Sequence, residues 1–219
     1  MGESLKNRAK TTFRKIIRKF GFEVVKYTPQ QMALLRSYRN LSYRDFLVEE
    51  ALLPRGEISV FEAIFLGSLV RSLEDDGPII EIGTLFGRST LVMATYKSIE
   101  RKLVTVDNYS WNPLGISSET HFRITQKTLL EAKRKLNVHQ INSDKNAFYR
   151  TYSDGAPALV FLDAVHTYEE TKADILWAKR LNTKIICGHD YHEESYPSVV
   201  RAVDEFGGPK KLVETLWVL

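Results

Sequence analysis

Two short segments carry the clearest chemistry in the chain: Val160-Phe161-Leu162-Asp163-Ala164-Val165-His166-Thr167-Tyr168-Glu169 and Ile185-Ile186-Cys187-Gly188-His189-Asp190-Tyr191. Each runs a fully apolar stretch straight into polar groups. Strands of this kind, buried on both faces of a parallel sheet, release their polar followers at one rim. Asp163, His166, His189 and Asp190 are therefore expected to converge. Carboxylates and imidazoles gathered in one place can activate a hydroxyl in two ways. A histidine near neutrality takes the proton, or a divalent cation bound by carboxylates lowers the hydroxyl pKa and orients the group. His166 taken alone reads nearly as well as a helix-capping or core histidine.

A second constellation lies upstream. Ile80-Glu81-Ile82-Gly83-Thr84-Leu85-Phe86-Gly87-Arg88-Ser89-Thr90 ends an apolar strand and opens a helix, the place where an open α/β sheet binds its ligand. A dinucleotide fingerprint, Gly-x-Gly-x-x-Gly, needs its middle glycine to admit a pyrophosphate. Leu85 occupies that position. The carboxylate of Glu81 repels phosphates and suits a cationic amino-acid head, so the loop fits a nucleoside of the S-adenosylmethionine type. Val104-Thr105-Val106-Asp107 ends the next strand, 24 positions after Gly83. An acid there can accept both ribose hydroxyls. The blander alternatives are a glycine-rich turn that only packs and a strand that happens to end in Asp.

The pattern Glu-x-Gly-x-x-x-Gly-x-Ser resembles the first motif of class I S-adenosylmethionine-dependent methyltransferases. The downstream segments are similar to a family of small-molecule O-methyltransferases that includes macrolide-sugar and aminocoumarin-sugar enzymes. That family shows Asp-x-x-His-x-Tyr after the fourth strand, an Asp in the next helix and His-Asp-Tyr after the fifth. Here these are Asp163, His166 and Tyr168, then Asp174, then His189-Asp190-Tyr191, with Pro197, Val200 and Ala202-Val203 matching the following helix. The resemblance covers roughly residues 55–219. It implies O-methylation of a hydroxyl on a sugar, glycolipid or secondary metabolite, with S-adenosyl-L-methionine as cofactor. The donor site it implies is Glu81, Gly83, Thr84, Gly87, Ser89, Asp107 and Asp163, with Ser143 and Asp144 beside the adenine. Catalysis falls to Asp163, His166 and His189. Metal-dependent relatives hold magnesium with one acid after strand four and an acidic pair after strand five. His189 departs from that pattern, so Asp163, His189 and Asp190 form a metal set that admits a softer ion such as manganese, or His189 is the base of a metal-free reaction.

The elements that must position these residues follow from periodicity. Short apolar runs at Ile79–Ile82, Leu103–Val106, Val138–Asn142, Ala158–Leu162 and Lys184–Cys187 alternate with helical stretches at Ser89–Ile99, Glu119–Leu136, Lys145–Tyr152, Tyr168–Leu181 and Ser198–Phe206. Leu212–Leu219 is apolar enough for one or two final strands. Alternation of this kind predicts an α/β fold, a doubly wound, mostly parallel sheet. Residues 77–219 form the expected catalytic domain, with 29–76 as a helical cover and 1–28 as a basic extension. In the cover, helices are expected at Gln30–Arg39, Tyr43–Leu52 and Ser59–Leu73, where Ser59 and Glu62 make a capping box. Trp177, Trp217 and Phe206 read as core. Trp111 and His121 fall in a predicted loop, Tyr109–His121, of the kind that lines an acceptor pocket.

Composition narrows the partners. The net charge is +4, but residues 1–20 hold seven Lys/Arg against Glu3, a net +6, and the remaining 24 basic and 26 acidic residues leave −2. A nucleic-acid-binding fold carries its charge on its body, so no nucleic-acid partner is expected. Phe13, Ile16, Ile17 and Phe20 form a helical stripe whose other faces are basic. It suits docking on this domain, on a second copy in a homodimer, or peripheral contact of residues 5–20 with a membrane surface. Cys187 is the sole cysteine. The basic start lacks the apolar core of a signal peptide, so a cytoplasmic location is expected. The competing readings are an NAD(P)-dependent oxidoreductase on a similar fold, disfavoured by Leu85, and a non-catalytic scaffold built on a methyltransferase fold.

Overall fold

The computed structural model describes residues 57–111 and 115–219. The expected basic extension, the stripe within it and the helices at Gln30–Arg39 and Tyr43–Leu52 lie outside the described residues. The chain enters through helix α1 (Val60–Arg71) and then alternates β1 (Ile79–Ile82), α2 (Arg88–Tyr96), β2 (Leu103–Asp107), α3 (Ser118–Thr128), α4 (Leu130–Lys135), β3 (Val138–Asn142), α5 (Lys145–Thr151), β4 (Leu159–Leu162), α6 (Tyr168–Arg180), β5 (Ile185–Gly188) and α7 (Pro197–Asp204). It closes with a hairpin, β6 (Lys211–Val213) and β7 (Leu216–Val218).

The strands form one seven-stranded sheet in the order β3-β2-β1-β4-β5-β7-β6. β1 to β5 are parallel, and β7 joins β5 and β6 antiparallel. Sheet order reverses between β1 and β4, the switch point outside which such sheets bind ligands. Alternate residues of each strand supply the two core layers. Ile79, Leu103, Leu159 and Phe161 pack on one face with α1 and α2. Ile80, Ile82, Val104, Val160 and Leu162 pack on the other with α5, α6 and α7. With both faces covered, β1, β2, β4 and β5 are mostly apolar, which is why they appear as nearly continuous runs, whereas β3, at the sheet edge, is only partly buried.

The expected helix over Glu119–Leu136 is two helices. Leu129 ends α3 and starts α4 at φ −88° and ψ 1°. Its side chain is fully buried and sits under Gly87, where an added Cβ would lie 2.9 Å from Leu129 Cδ2. Burial of this leucine thus overrides helical continuity. α3 begins at Ser118, so His121 is a buried helical residue rather than part of a loop. Trp177 and Trp217 are buried, and Phe206 packs partly buried against their layer. No described helix is long and apolar enough to cross a membrane.

Candidate active site

The loop after β1 is set by close approach and by one carboxylate. Gly83 has φ +98°, and a Cβ there would stand 1.8 Å from the Asp163 carbonyl oxygen. Only glycine allows the β1 and β4 ends to meet this closely. Asp107 Oδ2 accepts hydrogen bonds from the amides of Thr84 and Leu85, both at 2.9 Å, and Oδ1 accepts from the Tyr109 amide at 2.6 Å. Oδ1 therefore keeps a lone pair for a ligand hydroxyl. From the far side, Thr125 Oγ1 donates to the Leu85 carbonyl at 2.7 Å and His121 Nε2 lies 3.0 Å from the same oxygen. Leu85 itself takes φ +48°, the left-handed conformation that a dinucleotide loop gives to glycine, and its Cβ is incompatible with the bare backbone such a loop offers a pyrophosphate.

Glu81 behaves differently from the sequence expectation. It is fully buried, and its carboxylate accepts hydrogen bonds from Ser89 Oγ, at 2.5 Å, and from Thr90 Oγ1. Burial pushes its pKa up to about 7 against those hydrogen bonds. These bonds fasten β1 to the start of α2 and engage Ser89. Ser143 is tied to β2 through its amide, 3.0 Å from the Asp107 carbonyl, and Asp144 caps α5 by accepting from the Ala147 amide at 3.0 Å. Both stand at the same edge as Asp107.

The second constellation assembles at the ends of β4 and β5. Asp163 follows β4, His166 lies in the turn before α6, and His189 and Asp190 follow β5. Gly188 lets this turn form, since a Cβ there would meet the Trp217 ring at 2.3 Å and the Leu162 carbonyl at 2.6 Å. Trp217 Nε1 donates to the His189 carbonyl at 3.0 Å. Asp190 has φ +63°, a strained conformation for a residue with a side chain, of the kind held at functional sites. His166 Nε2 is 2.8 Å from Asp190 Oδ2 and 3.7 Å from Asp163 Oδ1; His189 Nδ1 is 3.3 Å from Asp190 Oδ1 and 3.8 Å from Asp163 Oδ1.

These are charge contacts without hydrogen-bond alignment. His166 Nε2, His189 Nδ1 and Asp190 Oδ2 are all buried with no hydrogen-bond partner. They are held by ion-pair contact alone, which leaves their hydrogen-bonding capacity open to a ligand. One atom each from Asp163, His189 and Asp190 lie within 4.8 Å of one another, a spacing that can hold a metal ion.

Electrostatics point the same way. Burial alone would lower the His189 pKa, but the carboxylates of Asp190, Glu62 and Asp163 push it up to about 11. Burial likewise opposes protonation of His166, and Asp163 and Asp190 push it up to about 9. Asp190 is held well below the ordinary carboxylate range because the two imidazoles outweigh its burial. Glu57 is pushed up, first by burial and then by the charges of Asp190 and Asp163. Even with both imidazoles protonated, the four carboxylates of Glu57, Glu62, Asp163 and Asp190 leave an excess of negative charge among the described residues.

Other motif residues do not join this rim. Asp174 is buried between α5 and α6, where it takes Lys145 Nζ at 2.5 Å and the Tyr149 hydroxyl at 2.9 Å. Tyr168 donates to Glu205 and Tyr191 donates to Asp204 at 2.8 Å, so both brace α7. Conversely, Glu57 and Glu62 stand at the rim although sequence reasoning assigned them no role there. The signal for Glu62 was visible as half of a capping box, but a cap says nothing of what lies across the sheet.

A family model for a methyltransferase domain matches residues 80–191, half of the 219-residue chain. The chain belongs to the methyltransferase-domain family. The matched span opens in β1 and closes at Tyr191, so it takes in both the Asp107-held loop and the rim of this methyltransferase. Solved structures share its fold. Cofactor-bound Rv0187 from MTB superposes with a TM-score of 0.56 at 22% identity, covering 84% of this chain and 85% of its own. An O-methyltransferase from Bacillus cereus in complex with SAH gives 0.52 at 21%, covering 90% and 85%. The O-methyltransferase TomG from Streptomyces achromogenes, involved in tomaymycin synthesis and bound to SAM, gives 0.53 at 19%, covering 90% and 84%. A search of curated protein sequences returns no match.

Proposed function

We propose that this methyltransferase transfers the methyl group of S-adenosylmethionine to a hydroxyl of a small molecule, a sugar, glycolipid or secondary metabolite. The observation that carries the proposal is the cluster of Asp163, His166, His189 and Asp190, held by ion pairs without aligned hydrogen bonds, beside the Asp107-held loop. Support for the donor comes from the fold neighbours bound to SAH and SAM. The tomaymycin enzyme among them supports a small-molecule acceptor.

In this reading Asp107 Oδ1 takes a ribose hydroxyl and the Gly83–Gly87 loop, held in place by its own amide bonds, packs against the nucleoside, with Ser143 and Asp144 at the adenine edge. Methyl transfer is an in-line displacement: the acceptor oxygen forms its bond to the methyl carbon as the bond to sulfur breaks, leaving S-adenosylhomocysteine. The oxygen must lose its proton. His166 is the more accessible imidazole, its side chain 31% exposed against 5% for His189, but with its pKa pushed up to about 9 it serves as the base only in its deprotonated form, so turnover that relies on it should rise with pH toward that value. Asp163, His189 and Asp190 would fit a divalent cation such as magnesium or manganese, since one ligand atom from each lies within 4.8 Å of the others and two of the three are carboxylates. When bound, it would supply Lewis acidity that acidifies the hydroxyl.

Calorimetry with S-adenosylhomocysteine, followed by a methyl-transfer assay over a panel of hydroxylated acceptors with and without a chelator, tests the proposal. Saturable binding that Asp107→Ala abolishes, and chelator-sensitive turnover, are expected. Absence of binding by the wild type sinks the donor assignment. Turnover that survives chelation sinks the cation alone and leaves His166 as the base.

A further inference from the structure

We infer that Glu62, in the first turn of α1, is a positioning residue that holds the Nε2 proton of His189 and so presents Nδ1 to Asp163 and Asp190. The inference rests on the proposed cation-binding rim and adds to it a residue from the helical cover, 127 positions away from His189 in the chain.

The carboxylate of Glu62 is almost wholly enclosed, with its side chain 3% exposed. It meets four donors. Oε1 accepts from the Thr215 amide at 2.9 Å and the Thr215 hydroxyl at 2.8 Å; Oε2 accepts from the Ser59 amide at 2.7 Å and lies 3.2 Å from His189 Nε2. An ionised carboxylate offers about four lone-pair sites and no proton. His189 Nε2 can face it only as N–H.

The opposite nitrogen is in the reverse situation. Nδ1 is buried, has no hydrogen-bond partner and stands 3.3 Å from Asp190 and 3.8 Å from Asp163. With the Nε2 proton held by Glu62, a lone pair on His189 can form only at Nδ1, on the side where the two aspartates gather. This is the arrangement by which a carboxylate behind a histidine fixes its tautomer and ring orientation toward a metal.

A helix cap alone does not require these contacts. Glu62 caps α1 through the Ser59 amide, and glutamine serves that role equally well. The bonds to Thr215 and the contact to His189 lie beyond the cap. They join α1 to the β6–β7 turn and to the end of β5, and they demand a group that only accepts. Glutamine keeps the cap but brings an amide donor to one side of this ring of donors. Glu62→Gln therefore separates the two roles.

The experiment combines two readouts. Manganese affinity is measured by the electron paramagnetic resonance signal of free Mn2+, with S-adenosylhomocysteine affinity by calorimetry as a control for a merely loosened fold. The imidazole protons of His189 are followed by 15N-correlated NMR, with and without Mg2+. The wild type should show a slowly exchanging proton on His189 Nε2 in both conditions. E62Q should lose that protection and bind Mn2+ about 10–100-fold more weakly with S-adenosylhomocysteine affinity unchanged. Equal Mn2+ affinity in E62Q, or a wild-type His189 that shows no protected proton on Nε2, overturns the inference. If the wild type takes up no Mn2+, the cation reading of the rim fails, and the Nε2 resonance recorded without metal still decides the role of Glu62. The wild-type spectrum also decides it should E62Q fail to fold.

Discussion

Glu81 and Asp107 are both acids at the ends of strands, yet their surroundings give them different work. Glu81 is fully buried with its pKa pushed up to about 7, while its ordinary value is 4.5. Because the folded value is the higher one, the folded chain holds a proton that the unfolded chain has lost between those two values. Stability from this group is therefore complete below pH 4.5, falls as the pH rises toward about 7 and is flat beyond. The shift corresponds to about 3 kcal/mol. Glu81→Gln removes it, since the amide stays neutral while bridging Ser89 and Thr90. Urea unfolding of both proteins at pH 4.5 and pH 8 should show the variant gaining about 3 kcal/mol relative to wild type across that range; an unchanged difference refutes the argument. At the rim, Asp163→Asn is expected to lower turnover by at least about 100-fold while S-adenosylhomocysteine still binds, because the substitution changes charge and leaves the backbone contact with Gly83 in place.

At the scale of elements, the β1 and β4 ends form one joint, because Gly83 lies against the Asp163 backbone. Gly83→Ala combines a left-handed φ of +98° with a Cβ placed 1.8 Å from the Asp163 carbonyl. Gly155 has a similar φ of +89° but nothing within 4 Å of an added Cβ. Gly155→Ala should cost only the backbone term, about 1–2 kcal/mol. Gly83→Ala should cost at least about 3 kcal/mol and weaken nucleoside and cation binding together, which thermal melting and the two binding assays would check. The alternation of apolar runs and helices showed the sheet in advance, since strands covered on both faces leave a simple pattern. The rim residues Asp163, His166, His189 and Asp190 were legible for the same reason, being the first polar groups after such runs. The break at Leu129 was not, because it depends on the glycine above it rather than on local propensity. Nor was the place of Glu62, whose partners Thr215 and His189 come from the far end of the chain, or the inward turn of Glu81, whose two hydroxyl partners lie eight and nine residues on in the first turn of α2.

For the whole molecule, the question is whether the donor loop and the acidic rim act as separate sites on one sheet edge. They share Asp163. Its carbonyl packs on Gly83, and its carboxylate stands within reach of His166 and His189. A cation that settles the Asp163 side chain also steadies the backbone against which the nucleoside loop rests, and coupling through such a shared residue must be equal in both directions. Magnesium should therefore raise S-adenosylhomocysteine affinity several-fold, and S-adenosylhomocysteine should raise manganese affinity by the same factor. Typical coupling between sites is about 1–3 kcal/mol, and a pair joined by a single packed residue belongs at the low end. Calorimetric titrations of each ligand in the presence and absence of the other measure it. Asp163→Asn supplies the internal control: it keeps the carbonyl under Gly83 but weakens the cation site, so magnesium should no longer alter nucleoside affinity. Affinities that are independent in the wild type would mean that the switch point holds two sites side by side without communication, and that Asp163 serves each through a different part of itself.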